Sequence, residues 1–342
     1  MPQGPIFIIG AMGSGTTLLR LMLDSHPNIA IPAETGFMRA YNAHQFIPFK
    51  WSGRNWAKRL GWSRDELDRE LAAFYERLFM RYVEMHGKQR WGEKTPLHTF
   101  HVDDMARLYP EAMFVSIVRH PGGEVASTMS RFSHSLGRAT EHYGRYTREC
   151  VRQAARHGDR FVLLRYEDLV LQPEPLLREL LDWLGEPWSD QVLSHHTIQS
   201  ERGGNLTVEG GNRADDPIDT SRTTKWTKTL DGAARAKVER RLGRLGEFLG
   251  YSMADPAALE PLGHTIVARG SEIDARIDRF PDLDLRTQVP VPRAERFYHP
   301  RDFVLTLRAE PKKAVTRPPA AAREPLRGRL RAAVGRLTAA RG

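Results

Sequence analysis

Cysteine is all but absent from this sequence: among 342 residues only Cys150 carries a thiol. That excludes an internal disulfide and a cysteine-based metal cluster, and it suits a reducing compartment. The surroundings of Cys150 read as mid-helix, which favours packing over nucleophilic chemistry. Long apolar runs are missing as well. No stretch reaches the roughly 18 apolar residues of a membrane span, and the N-terminus enters its first strand too early for a charged, apolar, cleavable leader. The expected location is therefore cytoplasmic. A net basic charge is also missing from the body of the chain. The formal net charge is +9, yet nine Lys and Arg residues between Pro311 and Gly342 face only Glu324, so the tail carries almost all of it. The body is near neutral, and nucleic acid is not an expected partner.

What is present begins with a glycine-rich turn. Ile6 to Ile9 is a short β-branched run suited to a buried strand, and Gly10, Gly13 and Gly15 then allow a sharp loop. From Thr16 the pattern is helical, with Leu18, Leu19, Met22 and Leu23 on one face. Strand, glycine loop and helix start together form a cradle for an anion, because orphan N–H groups and the helix dipole both favour negative charge there. The spacing of Gly10, Gly15, Thr16 and Thr17 differs in one residue type from a nucleoside-triphosphate loop, whose lysine would stand at Thr16. Without that cation, hydrolysis of ATP or GTP loses its main electrostatic element, and a smaller phosphate-like group fits better. A plain turn in any α/β protein is the alternative.

With 40% hydrophobic residues the chain can build a sizeable core, as one large α/β domain or two small ones. Strands and helices alternate in the manner of a mostly parallel sheet. Asn28 to Ile31 is extended, and the loop Pro32 to Gly36 after it can aim Glu34 at the cradle. Phe37 to Trp62 is dense in aromatics (Phe37, Tyr41, Phe46, Phe49, Trp51, Trp56, Trp62), which suits an acceptor-binding wall or ordinary core. Ser63 and Glu66 mark the start of a helix to His86. Lys94 ends the extended piece Gln89 to Pro96, ahead of a helix from His98 to Leu108. His98 and His101 lack a third ligand in register and read as packing or solvent-facing groups.

Ala112 to Val118 is the second clear strand, and Arg119 stands at its carboxyl end, where open α/β sheets place ligand groups; Ser127 lies in the helix that follows. A guanidinium and a hydroxyl so placed can clamp a second phosphate, though a structural salt bridge also suits Arg119. Arg138 to His157 reads as a basic helix, Arg160 to Arg165 as a third strand, Pro173 to Leu184 as a helix closed by Gly185, and Asp231 to Leu249 as the last amphipathic helix. Between them Glu201 to Asp216 is a long polar loop, either a cover for a site or simply mobile.

Taken in order, GSGTTLL with DSHP, then EKTP, VRHPGGEVASTMSR, LLRYEDLV and SRTTKW resemble the sulfotransferase family dependent on 3′-phosphoadenosine 5′-phosphosulfate. The pattern is nearest to the tyrosylprotein sulfotransferases and related bacterial enzymes, and it covers about Ile6 to Tyr251. The resemblance implies a P-loop-containing three-layer α/β fold around a mostly parallel sheet, and a reaction that needs no metal. It makes Gly13, Ser14, Gly15, Thr16 and Thr17 the holder of the 5′-phosphosulfate, and Arg119 and Ser127 the binders of the 3′-phosphate. Lys94 would stabilise charge on the bridging oxygen or sulfuryl group, Glu34 would take the acceptor proton, and Ser221 and Lys225 would close over the cofactor. His26 is a competing base that reads better as a helix-end cap. One departure is visible: many relatives carry arginine where this chain has Gly13, so either Lys94 or Arg20 takes up part of that charge, or the enzyme is slower, or the activity is lost.

The expected acceptor is a hydroxyl on a small molecule, glycan, lipid-linked metabolite or peptide. The expected organisation is a sulfotransferase domain at 1–252, an extension at 253–310 that wraps the domain or builds a partner surface, and a basic tail at 311–342. In that tail Leu326, Leu330, Val334 and Leu337 fall on one helical face among arginines, which suits weak contact with an anionic membrane surface or an acidic partner, or a merely solvated segment. Two other functional classes stay open at this level. One is a P-loop kinase or nucleotide hydrolase; the other is a non-catalytic membrane- or nucleic-acid-binding protein acting through its tail.

Overall fold

The computed structural model describes residues 4–44, 46–47, 51–52, 58–201, 207–208, 212–213 and 216–291. Its strands are β1 (Ile6–Ile9), β2 (Ile29–Ala30), β3 (Phe46–Ile47), β4 (Trp51–Ser52), β5 (Arg90–Lys94), β6 (Met113–Val118), β7 (Phe161–Arg165), β8 (Thr207–Val208), β9 (Asn212–Arg213) and β10 (Ala268–Arg269). The helices are α1 (Thr16–Asp24), α2 (Phe37–His44), α3 (Arg64–Met85), α4 (Val102–Leu108), α5 (Pro121–Phe132), α6 (Leu136–His157), α7 (Tyr166–Leu171), α8 (Pro173–Leu184), α9 (His195–Glu201), α10 (Trp226–Thr229), α11 (Gly232–Phe248) and α12 (Gly270–Ile277).

Side-chain alternation along the strands decides the layering. Ile6 and Ile8 of β1 join Val115, Ile117, Val162 and Leu164 in a core covered by α1, α7 and α8. Phe7 and Ile9 point the other way, with Phe114, Phe161 and Leu163, into a core built with α2, α3, α6, α11 and α12. A period of two along each strand thus feeds two apolar layers, one on each face of the sheet. On the second face the rings of Phe7 and Phe114 stack at 5.5 Å, and those of Phe79 and Trp91 at 4.3 Å.

The sheet runs β10-β7-β6-β1-β5-β2. All neighbours are parallel except β10, which pairs antiparallel with β7 through Ala268 and Leu163. The expected three-layer α/β fold around a mostly parallel sheet is therefore what the chain adopts. Because β5 and β6 flank β1 on opposite sides, strand order reverses about β1, and the loops at the carboxyl ends of these three strands open a crevice there. β5 is unlike its neighbours. All five of its residues, RWGEK, are buried although three are charged, so each needs a partner. Arg90 finds Glu186 at 3.1 Å and the carbonyls of Gly4 and Leu184, while Glu93 and Lys94 serve the site.

Local signals set the helix boundaries. Ser63 and Glu66 form the reciprocal cap of α3, and Gly185, with φ 73°, ends α8. Two readings shift: the helix expected from His98 is a 3₁₀ turn over Pro96–His101 followed by α4, and the Tyr166–Leu169 stretch, unassigned from sequence, is α7. After Tyr251 the chain continues around the same body. β10 extends the sheet, and Ile273, Ile277, Phe280, Leu283 and Leu285 enter the larger core. Phe37 and Tyr41, offered as an acceptor wall, are 4% and 0% exposed and pack in that core, whereas Trp62 is on the surface. The side chains of Phe46, Phe49, Trp51 and Trp56, most of the Glu201–Asp216 loop, the Phe303–Leu307 piece and the tail from Pro311 lie outside the described residues.

Candidate active site

The loop after β1 is shaped by glycine. Gly10, Gly13 and Gly15 have φ of 148°, 95° and 106°, which side-chain-bearing residues rarely adopt. At Gly15 there is no room either, since a Cβ would lie 2.4 Å from the Tyr166 ring. Ser14 turns its hydroxyl inward to the Ala11 carbonyl at 2.8 Å and braces the loop from within. Thr99, which sequence reasoning passed over, accepts from the Gly10 N–H at 3.1 Å and fixes the loop's first residue. Gly15 caps α1 with backbone alone, so the first turn at Thr16 and Thr17 presents N–H groups to the crevice.

Beside that turn stands Lys94. It ends β5 with its side chain fully buried, donating to Glu34 Oε1 at 2.5 Å and to Thr17 Oγ1 at 3.4 Å. The Glu34 side chain keeps 32% of its surface, so the pair joins a buried cation to a partly exposed carboxylate. Of the two residues offered in place of the missing loop arginine, Lys94 is at α1's first turn; Arg20 instead donates to the Ile31 carbonyl at 3.2 Å. Gly13 itself leaves little space, because a Cβ there would sit 3.2 Å from Ser127 Oγ. His26 is fully buried, with Nε2 on the Pro187 carbonyl at 2.8 Å and Nδ1 accepting from Asn28 N–H, a structural tie that leaves it no base role.

On the other side of the loop the crevice is cationic. Arg119 leaves the end of β6, donates to the carbonyls of Gly13 at 3.1 Å and Arg222 at 2.6 Å, and lies 4.3 Å over the Tyr166 ring. Its Nε is buried with no hydrogen-bond partner. Arg131 and Arg222 line the same walls, and partial burial together with the Arg222 and Arg119 charges pushes the Arg131 guanidinium below its ordinary value. Converging guanidiniums that repel one another suit a polyanion. Gly13, Gly15, Thr16 and Thr17 line one cavity and Ser127 and Lys225 an adjoining one, and because the two share Arg119, Arg131, Asp219 and Arg222, two anionic groups of one ligand can be held.

Ser221 does not line these walls; its hydroxyl donates to Asp219 at 2.6 Å, and Asp219 also meets Arg222 at 3.2 Å. Arg131, Arg222, Tyr166 and His195 are wall residues that the sequence analysis missed. Arg131 had a usable signal, since it stands four residues after Ser127 and shares its helix face. Cys150 is buried in α6, and burial pushes its thiol up to about 12, which leaves it inert.

His195 in the wall and His120 at the start of α5 are both pushed down to about 4, chiefly by burial. Unfolded histidine titrates near 6.5, so between about pH 6.5 and 4 the unfolded chain binds more protons than the folded one. Their contribution to stability is present above that range and is lost as pH falls through it, by roughly 1–2 kcal/mol per histidine at pH 5. Burial raises the carboxyls of Glu124 and Glu167, which act in the opposite sense. A comparison of denaturant curves at pH 7.5 and 5.0 cancels those groups: His195→Gln should narrow the difference by roughly 1–2 kcal/mol. An unchanged difference would show that His195 is protonated in the folded chain at pH 5.0.

Residues 5–190, just over half of the chain, match the model of the sulfotransferase family. Protein-tyrosine sulfotransferase 1 of Danio rerio is 28% identical over 275 residues, covering 75% of this chain and 74% of that protein. Protein-tyrosine sulfotransferase 1 of Mus musculus is 30% identical over 285 residues, again covering 75% and 74%. Among solved structures, the sulfotransferase domain from the Synechococcus PCC 7002 olefin synthase shares the fold, with a TM-score of 0.50 and 21% identity over 72% of this chain and 95% of that one.

Proposed function

We propose, because this chain belongs to the sulfotransferase family, that it moves a sulfuryl group from 3′-phosphoadenosine 5′-phosphosulfate to an acceptor hydroxyl by in-line displacement. The observation that carries this reading is the buried Lys94, which holds Glu34 at 2.5 Å and Thr17 at 3.4 Å and so joins base, cation and helix N-terminus at one point. The bound nucleotide supplies the activated sulfuryl group. The N–H groups around Gly13 to Thr17 suit its 5′ end, and Arg119, Ser127 and Lys225, with Arg131 and Arg222, suit its 3′-phosphate.

Glu34 then accepts the proton of the acceptor hydroxyl, for which it must come within about 3 Å of that oxygen. Lys94 and the start of α1 offset negative charge that builds on the departing side, and the rest of the site positions. Ser221 acts at one remove, by holding the Asp219 carboxylate against Arg222. Relatives named as protein-tyrosine sulfotransferases make a tyrosine-bearing peptide the first acceptor to try, ahead of phenols and sugars.

Calorimetric titration of 3′,5′-phosphoadenosine tests the donor class without a known acceptor. Clear binding is expected, with weak binding of ATP plus magnesium and no ATP turnover. Labelled sulfate should then pass from the phosphosulfate donor to a tyrosine peptide. A folded protein that ignores the bisphosphate, or that hydrolyses ATP with magnesium, would overturn the proposal.

A further inference from the structure

Beneath the Glu34 loop lies a second carboxylate that the proposed reaction does not use. Glu93 precedes Lys94 in β5, so strand alternation sends its side chain away from the cation, and it is 1% exposed. Its Oε1 accepts from the Thr35 N–H at 3.3 Å, the Thr35 hydroxyl at 2.9 Å and the Thr95 hydroxyl at 2.6 Å. Its Oε2 lies 2.8 Å from His98 Nδ1. The next links return to the same loop. Thr95 Oγ1 accepts from the Gly36 N–H at 3.2 Å, Thr35 Oγ1 accepts from the Phe37 N–H at 3.3 Å, and His98 Nε2 lies 3.4 Å from the Met38 N–H.

Donor and acceptor roles in this network admit one arrangement. Met38 N–H can only donate, so His98 Nε2 must accept, and the ring proton sits on Nδ1, pointing at Glu93. Every partner of Glu93 is then a donor, which requires the ionised carboxylate. A buried charge satisfied in this way is rigid, because losing any one partner leaves an uncompensated ion.

We infer that Glu93 and His98 are positioning residues that lock the four residues after Glu34 to the strand carrying Lys94, and so set the Glu34–Lys94 geometry used in catalysis. The inference rests on the sulfotransferase reading for its catalytic part. The anchoring itself does not depend on it. A base held about 1 Å out of place can cost on the order of 10²-fold in rate, so the lock matters even though neither residue meets the substrate.

Two variants and a double-mutant cycle test this. Glu93→Gln replaces one acceptor oxygen with an NH₂ facing donors, and Thr35→Val is a milder second variant that removes one hydroxyl. Amide hydrogen exchange is expected to speed up at least about tenfold at Thr35, Gly36 and Met38 in Glu93→Gln, with core amides unchanged. In transfer assays kcat should fall on the order of 10²-fold with the dissociation constant of 3′,5′-phosphoadenosine within about threefold of the unaltered chain. The decisive step is a double-mutant cycle: in a Glu34→Gln background, Glu93→Gln should add little further loss, because its effect passes through Glu34. Fully multiplicative losses would show a general structural role and overturn the inference, as would unchanged exchange at Thr35 and Gly36. An unaltered chain that transfers no sulfate while those amides remain protected by Glu93 would overturn the sulfotransferase reading and the catalytic part of the inference, leaving the anchoring alone.

Discussion

Glu34→Gln is expected to lower kcat for sulfuryl transfer by roughly 10²- to 10⁴-fold, with the affinity for 3′,5′-phosphoadenosine kept within about threefold. The substitution is chosen for what it leaves in place. Glutamine has the shape of glutamate, and its amide oxygen can still accept from Lys94 Nζ, which now lies 2.5 Å from Glu34 Oε1. The capacity to take a proton is lost. A second consequence must be separated from the first: Lys94 is fully buried, so removing the opposing charge leaves it less well compensated and lowers stability. A melting curve measures that loss, and turnover of the fraction still folded measures the other. Glu34→Asp, which withdraws the carboxylate by one methylene, should recover part of the rate. If kcat in Glu34→Gln is unchanged, the acceptor proton goes elsewhere, and His26 is not available to take it, being held between Pro187 and Asn28.

Much of this arrangement is legible in the residues themselves, for reasons that differ from part to part. Gly10, Gly13 and Gly15 announce the loop because their positive φ values restrict the choice of residue. Arg119 can be placed because a strand as apolar as β6 ends at Val118, and the carboxyl ends of such strands face ligand crevices. Glu93 is different. It stands in the same short motif as Lys94, but its partners Thr35 and His98 meet it only after β5 has docked beside β2 and the 3₁₀ turn at Pro96–His101 has formed. Nothing local distinguishes it from a surface glutamate.

The same holds where sequence reasoning went astray or stopped. The aromatics Phe37 and Tyr41 suit a pocket wall by composition, yet α2 turns both into the larger core, where Tyr41 also binds Asp68 at 2.6 Å. The two residues of β10 carry no recognisable strand pattern; the exposed edge of β7 makes them a strand. Arg222 could not be assigned either, because its place in the cleft depends on Asp219 and on the carbonyl it offers to Arg119, contacts that a loop sequence does not encode.

Those contacts make Arg119→Ala the second large effect, an expected loss of about 10²-fold in affinity for 3′,5′-phosphoadenosine. Hydrogen bonds from a charged donor contribute about 1.5–3 kcal/mol each, and a factor of ten corresponds to about 1.4 kcal/mol, so losing one fork suffices. The guanidinium also ties the Gly13 carbonyl to that of Arg222, and its removal loosens both walls of the cleft at once. Arg119→Lys separates these contributions. Lysine keeps the positive charge but cannot bond two carbonyls while presenting a flat face to Tyr166. If charge alone matters, Arg119→Lys should bind nearly as well as the unaltered chain; if the fork matters, it should resemble Arg119→Ala. The geometry favours the second result. A calorimetric series in rising salt checks it, since a binding loss caused by missing charge shrinks as screening grows, whereas one caused by lost fork geometry persists.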